Sequence, residues 1–277
     1  MNTSLRMTRG RRWALGIGVP IALAIIGWTA VSEIAYAGQD SYPVRLTIPI
    51  RANSATVAVD AGDVNVGPGT GNVLRVTGTA HYSIVRSRVT WTSTASGVAV
   101  RSDCRFPTGT CGFNYQVAVP PAVHAVLTNG SGDETVRGLS GTVHVLTDSG
   151  DIHAQALSGP LTMTDHSGDV SGSALSGPQV VIKNNSGDIV ISGLSSRDVS
   201  ATDDSGDITL TFTTAPTSVR VLDDSGNVTI VLPHGNTTYN VSAIADSGSR
   251  TVRVPTSSLS PHVIRVTAHS GDITITQ

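Results

Sequence analysis

The sequence predicts an all-β protein, a parallel β-solenoid (β-helix-like) of short repeated coils, preceded by one N-terminal transmembrane helix. Three observations predict it. The composition is rich in Val, Ile and Thr, which fit a pleated sheet, while aromatic residues make up only 4% of the 277 positions. A Ser-Gly turn recurs through the second half of the chain. Between these turns, apolar residues return at the same places.

An uncharged apolar segment near the N-terminus predicts the membrane helix. Residues 13–31 read WALGIGVPIALAIIGWTAV, which as a helix nearly spans a hydrocarbon core of about 30 Å. Four arginines precede this segment: Arg6, Arg9, Arg11 and Arg12. They place residues 1–12 in the cytoplasm, so the chain beyond a linker at 32–43 lies outside. This interpretation gives a single-pass protein of the cell membrane with an extracytoplasmic C-terminal domain.

A cleavage motif keeps a second interpretation of the same segment open. Ala35-Tyr36-Ala37 is an A-x-A site of the kind that follows a signal peptide. Residues 13–31 are then either an uncleaved signal anchor or a signal h-region. The length favours the anchor, because h-regions usually span about 7–15 residues. Cleavage after Ala37 would instead release a secreted protein.

The charge and the cysteines narrow the class of protein. After the first twelve residues the chain carries 14 basic and 20 acidic residues, which argues against nucleic acid as a partner. Cys104 and Cys111 flank a short loop that contains a proline and a glycine, which predicts a disulfide in an oxidising compartment. A two-thiol metal site is the alternative, but no further Cys exists and no His is near in sequence. This loop belongs to an N-terminal β region at 44–125.

The region 126–277 is built on a repeat with two landmarks. The first is a Ser-Gly pair at intervals of 18 to 23 residues. Its serines are Ser131, Ser149, Ser167, Ser186, Ser205, Ser225, Ser247 and Ser270. The second is a Leu-Ser pair that keeps step with the first at Leu139, Leu157, Leu175 and Leu194. Each unit therefore has two turns and two short strands.

Apolar columns between the turns predict how the units stack. Val143, Leu161 and Val180 occupy equivalent positions, and the residues that follow each of them are mostly polar. This alternation puts the column on one face of a strand. A unit of this length cannot bury its own apolar face, so we expect successive units to stack as parallel coils about 4.8 Å apart. A meander of antiparallel hairpins is the alternative, but it does not explain the recurrence.

The repeated turn is interpreted as a corner of the coil. Glycine tolerates the positive φ that a tight corner needs. The repeat-turn glycines are Gly132, Gly150, Gly168, Gly187, Gly206, Gly226 and Gly271. The Ser and Asp side chains can bond backbone N–H groups near the turn. Stacked carboxylates would repel by about 0.9 kcal/mol per pair in water, which backbone hydrogen bonds or a cation could offset.

Calcium is the one metal that the corners suggest. Their carboxylates are hard oxygen ligands, and the candidates are Asp151, Asp169, Asp188 and Asp207. However, the unit does not follow the fixed period of the nonapeptide calcium repeat. Turn chemistry therefore explains the aspartates better, and we expect no cofactor. The eight histidines show no metal-binding spacing and are expected to face solvent.

The corner motif resembles a known family. Ser-Gly-Asp-Ile/Val followed by alternating apolar residues, repeated between Ser131 and Thr276, is similar to the bacterial "putative adhesin" β-strand repeat family. The resemblance implies an extracytoplasmic, surface- or envelope-associated solenoid, often with a single N-terminal membrane segment. It implies no catalytic residues. Residues 78–125 show little of the repeat, and no cap follows the last repeat, so we expect the edge near Gln277 to be exposed or used for association.

We therefore expect a non-enzymatic, adhesin-like binding or scaffold protein. Its partner would be a surface protein, a glycan or a cell-wall component, in addition to the membrane itself. One alternative is an envelope sensory or structural component that acts through a membrane partner. A second alternative is a glycan-processing β-helix enzyme. Convergent unpaired carboxylates in a groove would favour the enzyme, whereas a ladder of satisfied turns would favour binding.

Overall fold

A computed structural model describes residue 21 and residues 39–105 and 110–277 of the chain. The expected cytoplasmic N-terminus at 1–12 and the expected membrane helix at 13–31, apart from Ile21, lie outside the described residues, as does most of the expected linker. Within the described part, no helix combines the length and hydrophobicity that crossing a membrane requires.

Residues 39–105 and 110–277 form an all-β structure of 23 strands in two sheets. In chain order the strands are β1 (Asp40–Pro49), β2 (Ser54–Val59), β3 (Val64–Pro68), β4 (Val73–Tyr82), β5 (Arg88–Thr94), β6 (Gly97–Asp103), β7 (Gly112–Val119), β8 (His124–Asn129), β9 (Glu134–Arg137), β10 (Val143–Thr147), β11 (Ile152–Gln155), β12 (Leu161–Asp165), β13 (Val170–Ser173), β14 (Gln179–Asn184), β15 (Ile189–Leu194), β16 (Asp198–Asp203), β17 (Ile208–Phe212), β18 (Ser218–Ser225), β19 (Val228–Val231), β20 (Asn240–Ser247), β21 (Arg250–Arg253), β22 (Val263–Ser270) and β23 (Ile273–Thr276). The larger sheet has 12 strands and the smaller one 11.

The repeat units stack as parallel coils, which confirms the predicted solenoid. Each unit gives one strand to each sheet, and equivalent residues are register partners: Leu161 lies between Val143 and Val180. These three side chains are at most 2% exposed. Burying each of them contributes about 1.5–3 kcal/mol before the entropy of ordering is subtracted. The hairpin alternative is wrong for the repeat, because its strands pair only in parallel.

The first strands close one end of the solenoid, which we call the proximal end. β2 and β3 pair in parallel with β8 and β9, so the region before residue 126 continues the same two sheets. The two edge strands at this end pair in antiparallel fashion. β1 is the outer edge of the large sheet, and β5 is the outer edge of the small sheet. The predicted disulfide is confirmed, joining Cys104 after β6 to Cys111 before β7.

At the opposite, distal end the coils do not follow chain order. β22 and β23 insert between the β18/β19 coil and the β20/β21 coil. The expectation of an exposed edge at the last repeat is therefore wrong, because residues 240–253 cover it. Arg250 stands where the preceding coils carry Ile273 and Val228, and its guanidinium donates to the carbonyl of Ala243 at 3.0 Å. A charged group at an edge position discourages further strand pairing.

Candidate functional site

The corners of the coils stack so closely that only glycine fits their second position. All seven predicted glycines have positive φ, from 113° at Gly132 to 158° at Gly226. The backbone N–H of Gly150 donates to the carbonyl of Ser167 in the next coil at 3.0 Å. A Cβ on Gly150 would lie 2.4 Å from the carbonyl oxygen of Gly132. Both the backbone conformation and the stacking distance therefore exclude a side chain here.

The corner aspartates form a continuous hydrogen-bonded ladder. In each case Oδ1 of one corner accepts the backbone N–H of the equivalent residue in the next coil. Asp151 donates to Asp133 at 3.0 Å, Asp169 to Asp151 at 2.9 Å, and Asp188 to Asp169 at 2.8 Å. The same bond runs along the remaining corners: the backbone N–H groups of Asp133, Asp207, Asn227, Asp272 and Ser249 donate to Oδ1 of Asp63, Asp188, Asp207, Asn227 and Asp272, respectively.

This ladder gives the corner carboxylates a structural role. The N–H groups offset the repulsion between stacked carboxylates. The backbone N–H of Ser249, together with its hydroxyl, holds the pKa of Asp272 below its usual range. Asp151, Asp169, Asp188 and Asp207 each have one oxygen engaged in this way. Within residues 39–105 and 110–277, no group of three or more acidic, histidine or cysteine side chains is arranged to hold a metal ion. The expectation that no cofactor binds, with calcium at the corners as the weaker alternative, stays a prediction.

A second column, which the sequence reasoning missed, lies just inside the corners. Its members are buried register partners at or near the ends of strands of the small sheet: Asn129, Thr147, Asp165, Asn184, Asp203 and Asp223. The side-chain amide of Asn184 donates to the carbonyls of Gly168 and Gly187 at 3.1 and 2.9 Å, and so ties two corners together. The signal in the sequence was the polar residue two positions before each of the first six Ser-Gly pairs, whereas Ala245 and Ala268 stand before the last two.

The buried acids of the interior resist ionisation. Desolvation raises the pKa of Asp203 and of Asp223 to about 6, and the two residues are register partners. Glu134 lies between Val64 and Ile152 in the apolar column and is 1% exposed. Desolvation raises its pKa to about 8. These carboxyls are sealed from solvent, so they are not available to a substrate in a groove.

Two histidines face aspartates on the outside of the corners. Nδ1 of His166 lies 3.2 Å from Oδ1 of Asp148, and Nδ1 of His269 lies 2.9 Å from Oδ1 of Asp224. Nε2 of His269 also lies 3.9 Å from Oδ2 of Asp246. About half of each side chain is exposed, so these pairs contribute little to stability.

The outer face of the large sheet carries a polar row and a shallow trough. Thr135, His153, Ser171 and Val190 are register neighbours in this row. The small residues of β13 leave a concavity of about 330 Å³, which Gln155 and Ser192 also line. His153 Nδ1 is within hydrogen-bond distance of Ser171 Oγ. Among the described residues no carboxylate is hydrogen-bonded to His153, as it would be in a Ser-His-Asp triad.

Towards the distal end this row becomes a run of threonines. Thr209, Thr229, Thr274 and Thr251 are successive register partners on the outer face of the large sheet. Because strand partners in a sheet lie about 4.8 Å apart, their hydroxyls recur at that spacing. The arrangement presents hydrogen-bonding groups along a flat surface, which suits an extended polar ligand better than a compact one.

One family model and the fold of one solved structure agree with this architecture. The family described as Toastrack DUF4097 matches residues 127–276. The solved structure of a "putative adhesin" from Bacteroides fragilis has a TM-score of 0.51 and 13% identity, covering 85% of this chain and 96% of that one. A "putative cell adhesion protein" from Clostridium sporogenes has a TM-score of 0.30 and 10% identity, covering 86% of this chain and 99% of its own.

The search of curated proteins found no match. The Bacteroides fragilis likeness, at 13% identity, shows the fold alone. The family match is independent of it and spans more than half of the chain, over the same corners and columns that define the solenoid. The resemblance to an adhesin-like repeat family of unknown function is thus confirmed, and the chain belongs to the Toastrack DUF4097 family.

Proposed function

We propose that the protein is a non-enzymatic extracytoplasmic binding scaffold, held at the membrane by residues 13–31. Its solenoid presents the outer face of the large sheet to a glycan of the cell surface or cell wall. Many weak contacts along the face would give adhesin-like binding. The disulfide between Cys104 and Cys111 supports an oxidising location outside the cytoplasm.

The observation that carries this proposal is that the corner carboxylates accept backbone hydrogen bonds and the interior carboxyls are buried. A glycan-processing enzyme needs two carboxyl groups that flank the scissile bond. Here the corner carboxylates accept backbone N–H groups from coil to coil, as Asp151 and Asp169 do. The interior carboxyls of Asp203 and Asp223 are buried. In the trough, the outer face of the large sheet therefore offers hydroxyl, amide and imidazole groups, and no carboxylate lines it.

The trough suits a neutral, hydroxyl-rich ligand. Ser171, Ser173, Ser192 and Gln155 line it with donors and acceptors that match sugar hydroxyls. Val190 is 48% exposed beside them and offers an apolar surface to the C–H face of a sugar ring. A small concavity of this kind would bind a single sugar weakly. Repeated contacts along the same face would raise the overall affinity.

A pull-down with the full-length protein tests the proposal. Detergent-solubilised protein is incubated with insoluble cell-wall glycan, and the bound fraction is measured with and without a chelator. Ser171→Arg fills the trough and should reduce the bound fraction severalfold. Thr162→Arg, on the outer face of the small sheet in the same coil, is the matched control and should bind as the wild type does.

Three outcomes would contradict non-enzymatic glycan binding in the trough. Equal loss of binding in both variants would mean that misfolding or the added positive charge causes the loss, and not the filling of the trough. Glycan cleavage during incubation would favour the enzyme. Loss of all binding on chelation would support the alternative that the corner aspartates bind calcium. Circular dichroism of each variant shows whether it is folded.

A further inference from the structure

The charges of the solenoid are distributed unequally between its two ends. Residues 39–125, which build the proximal end, contain seven arginines and four aspartates, a net charge of +3. Residues 126–277 contain seven basic and fifteen acidic residues, a net charge of −8. The ion pairs found within the described residues all join a histidine to an aspartate, so they engage none of these arginines.

The chain enters the solenoid at the positively charged end. Asp40 begins β1 and is the register partner of Tyr82, whose hydroxyl donates to Asp40 Oδ2 at 2.8 Å. The loop that follows Tyr82, residues 83–87, therefore starts beside the entering chain. This loop crosses from the large sheet to β5, the edge of the small sheet. The loop and both edge strands belong to one end face.

Exposed apolar and basic residues lie close together in the sequence of this end face. Ile84 and Val85 are 47% and 39% exposed, and Trp91 on β5 is 52% exposed. The guanidinium of Arg86 lies 4.1 Å from the centre of the Tyr42 ring, and the Tyr42 hydroxyl donates to the Ser87 carbonyl at 3.0 Å. These contacts hold the loop in place and leave the arginine at the surface.

An open concavity of about 670 Å³ lies at the same place. Its lining includes Tyr42, Arg86, Arg88 and Arg105. Guanidinium groups bind phosphate oxygens in a planar, two-pronged manner, so three of them around one concavity match a phosphate group. Exposed aliphatic and Trp side chains next to arginines are typical of surfaces that lie in a membrane interface.

The tether brings this end to the bilayer. Only the residues between Val31 and Asp40 separate the expected membrane segment from β1, and fully extended they span at most about 30 Å. A tether of that length gives a high effective concentration of the end face at the bilayer surface, so weak contacts suffice. The acidic repeat region would then point away from anionic lipids, because like charges repel.

We propose that the proximal end face docks on the bilayer through anionic phospholipid headgroups, with Arg86, Arg88 and Arg105 on the phosphates and Ile84, Val85 and Trp91 in the interface. This inference rests on the membrane anchoring in the proposed function. Docking fixes the orientation of the solenoid, with its long axis directed away from the membrane. The polar outer face is then carried clear of the lipid.

Fluorescence of Trp91 tests the docking in the full-length chain. Trp13→Phe and Trp28→Phe leave Trp91 as the single tryptophan, because the sequence has three. The protein is reconstituted into vesicles of phosphatidylcholine alone or mixed with phosphatidylglycerol, both with brominated acyl chains as quenchers. We expect stronger quenching and a blue-shifted emission in the anionic vesicles. High salt should abolish this difference between the two vesicle types, because it screens the attraction between arginines and anionic lipid.

Arginine variants separate docking from anchoring. Arg86→Gln with Arg88→Gln should lower the docked fraction in anionic vesicles about tenfold or more, since each arginine near such a surface contributes to binding. Arg220→Gln with Arg265→Gln removes two exposed arginines from the small sheet and is the matched control, expected to match the parent. Carbonate extraction of the vesicles reports anchoring separately from Trp91 quenching.

The result that would overturn docking is equal quenching in both vesicle types, or equal loss in the two arginine pairs. If soluble polyphosphate displaces Trp91 from anionic vesicles at charge equivalence, the surface serves a free anionic polymer and the lipid proposal is wrong. If carbonate removes the chain from the vesicles while Trp91 is still quenched in anionic lipid, anchoring fails and docking stands.

Discussion

The backbone N–H of Asp169 donates to Oδ1 of Asp151 at 2.9 Å, and this relation between two equivalent residues recurs along the solenoid edge. Each corner residue thus supplies an acceptor to the next coil and a donor to the previous one. The ladder explains how a column of like charges is tolerated. A hydrogen bond to a charged acceptor contributes more than the mean like-charge repulsion in water costs.

Removing one carboxylate should destabilise the coil that it serves. Asp169→Ala leaves the N–H of Asp188 without its acceptor at 2.8 Å and should lower the free energy of unfolding by about 1–2 kcal/mol. Asp169→Asn keeps an acceptor oxygen, as Asn227 does for Asp272 at 3.0 Å, and should be nearly neutral. Urea denaturation measures both. Asp148→Ala, an exposed acid beside the corner, is the control, and a loss there equal to that of Asp169→Ala would contradict the role of the ladder.

The corner glycine should be the least replaceable residue of the repeat. Gly150→Ala places a Cβ 2.4 Å from the carbonyl oxygen of Gly132 at a φ of 122°, and should cost at least about 3 kcal/mol. Gly71→Ala is the control, because Gly71 has a φ of 72° and open space around it, so only the backbone cost of about 1 kcal/mol remains. Thermal unfolding of the two variants separates the steric cost of coil stacking from the cost of placing alanine at a positive φ. Similar losses would mean that coil spacing does not restrict this position.

Much of this architecture is readable from the sequence, for a physical reason. Parallel coils place equivalent residues on one another, so a periodic sequence translates directly into contacts such as Val143 with Leu161. The corner glycines follow from the same repetition. The period of a sequence does not predict the order of the coils where the spacing of the repeat changes. The intervals of 22 and 23 residues at the end of the repeat accompany the inserted coil of β22 and β23.

The interior polar column shows a second limit of sequence reasoning. Asp203 and Asp204 are adjacent acids of the same type, yet the first is buried and the second is exposed. Strand alternation decides between them, and the last inward position of a strand could only be assigned once its end was known. The sequence predicted β structure and the disulfide at the proximal end, but not its strand order, because antiparallel strands there follow no repeat. Loop 83–87 could not be placed beside Asp40 without the β1–β4 pairing.

Replacing a buried acid of the polar column with its amide should stabilise the protein. Asp203→Asn puts an Nδ2 at the position equivalent to that of Asn184, whose own Nδ2 bridges two glycine carbonyls, and should raise the free energy of unfolding at pH 7 by about 1 kcal/mol or more. Asp204→Asn, at the exposed neighbouring position, should change stability by less than about 0.5 kcal/mol. Chemical denaturation at pH 7 compares the two. A destabilised Asp203→Asn would mean that the carboxylate has a partner that the amide cannot replace.

The same carboxyl should make stability depend on pH. Its pKa in the folded protein is about 6, above its ordinary value of 3.8, so the folded state holds a proton that the unfolded state releases between these values. Stability should therefore fall as the pH rises from about 4 to 6. Asp203→Asn removes this contribution, and its unfolding curves should vary less over that range. An unchanged slope would show that the carboxyl of Asp203 ionises normally.

Glu134 should produce a pH effect that extends further towards alkaline conditions. Burial raises its pKa from 4.5 to about 8, so wild-type stability should fall between those values and level off above them, by a few kcal/mol at most. Glu134→Val restores the apolar column between Val64 and Ile152, and should raise the unfolding free energy at pH 8 more than at pH 5. Thr135→Val changes the outward-facing neighbour and should leave the pH slope as in the wild type. Denaturation at several pH values measures the slopes, and a Glu134→Val protein with the wild-type slope would show that another group titrates there.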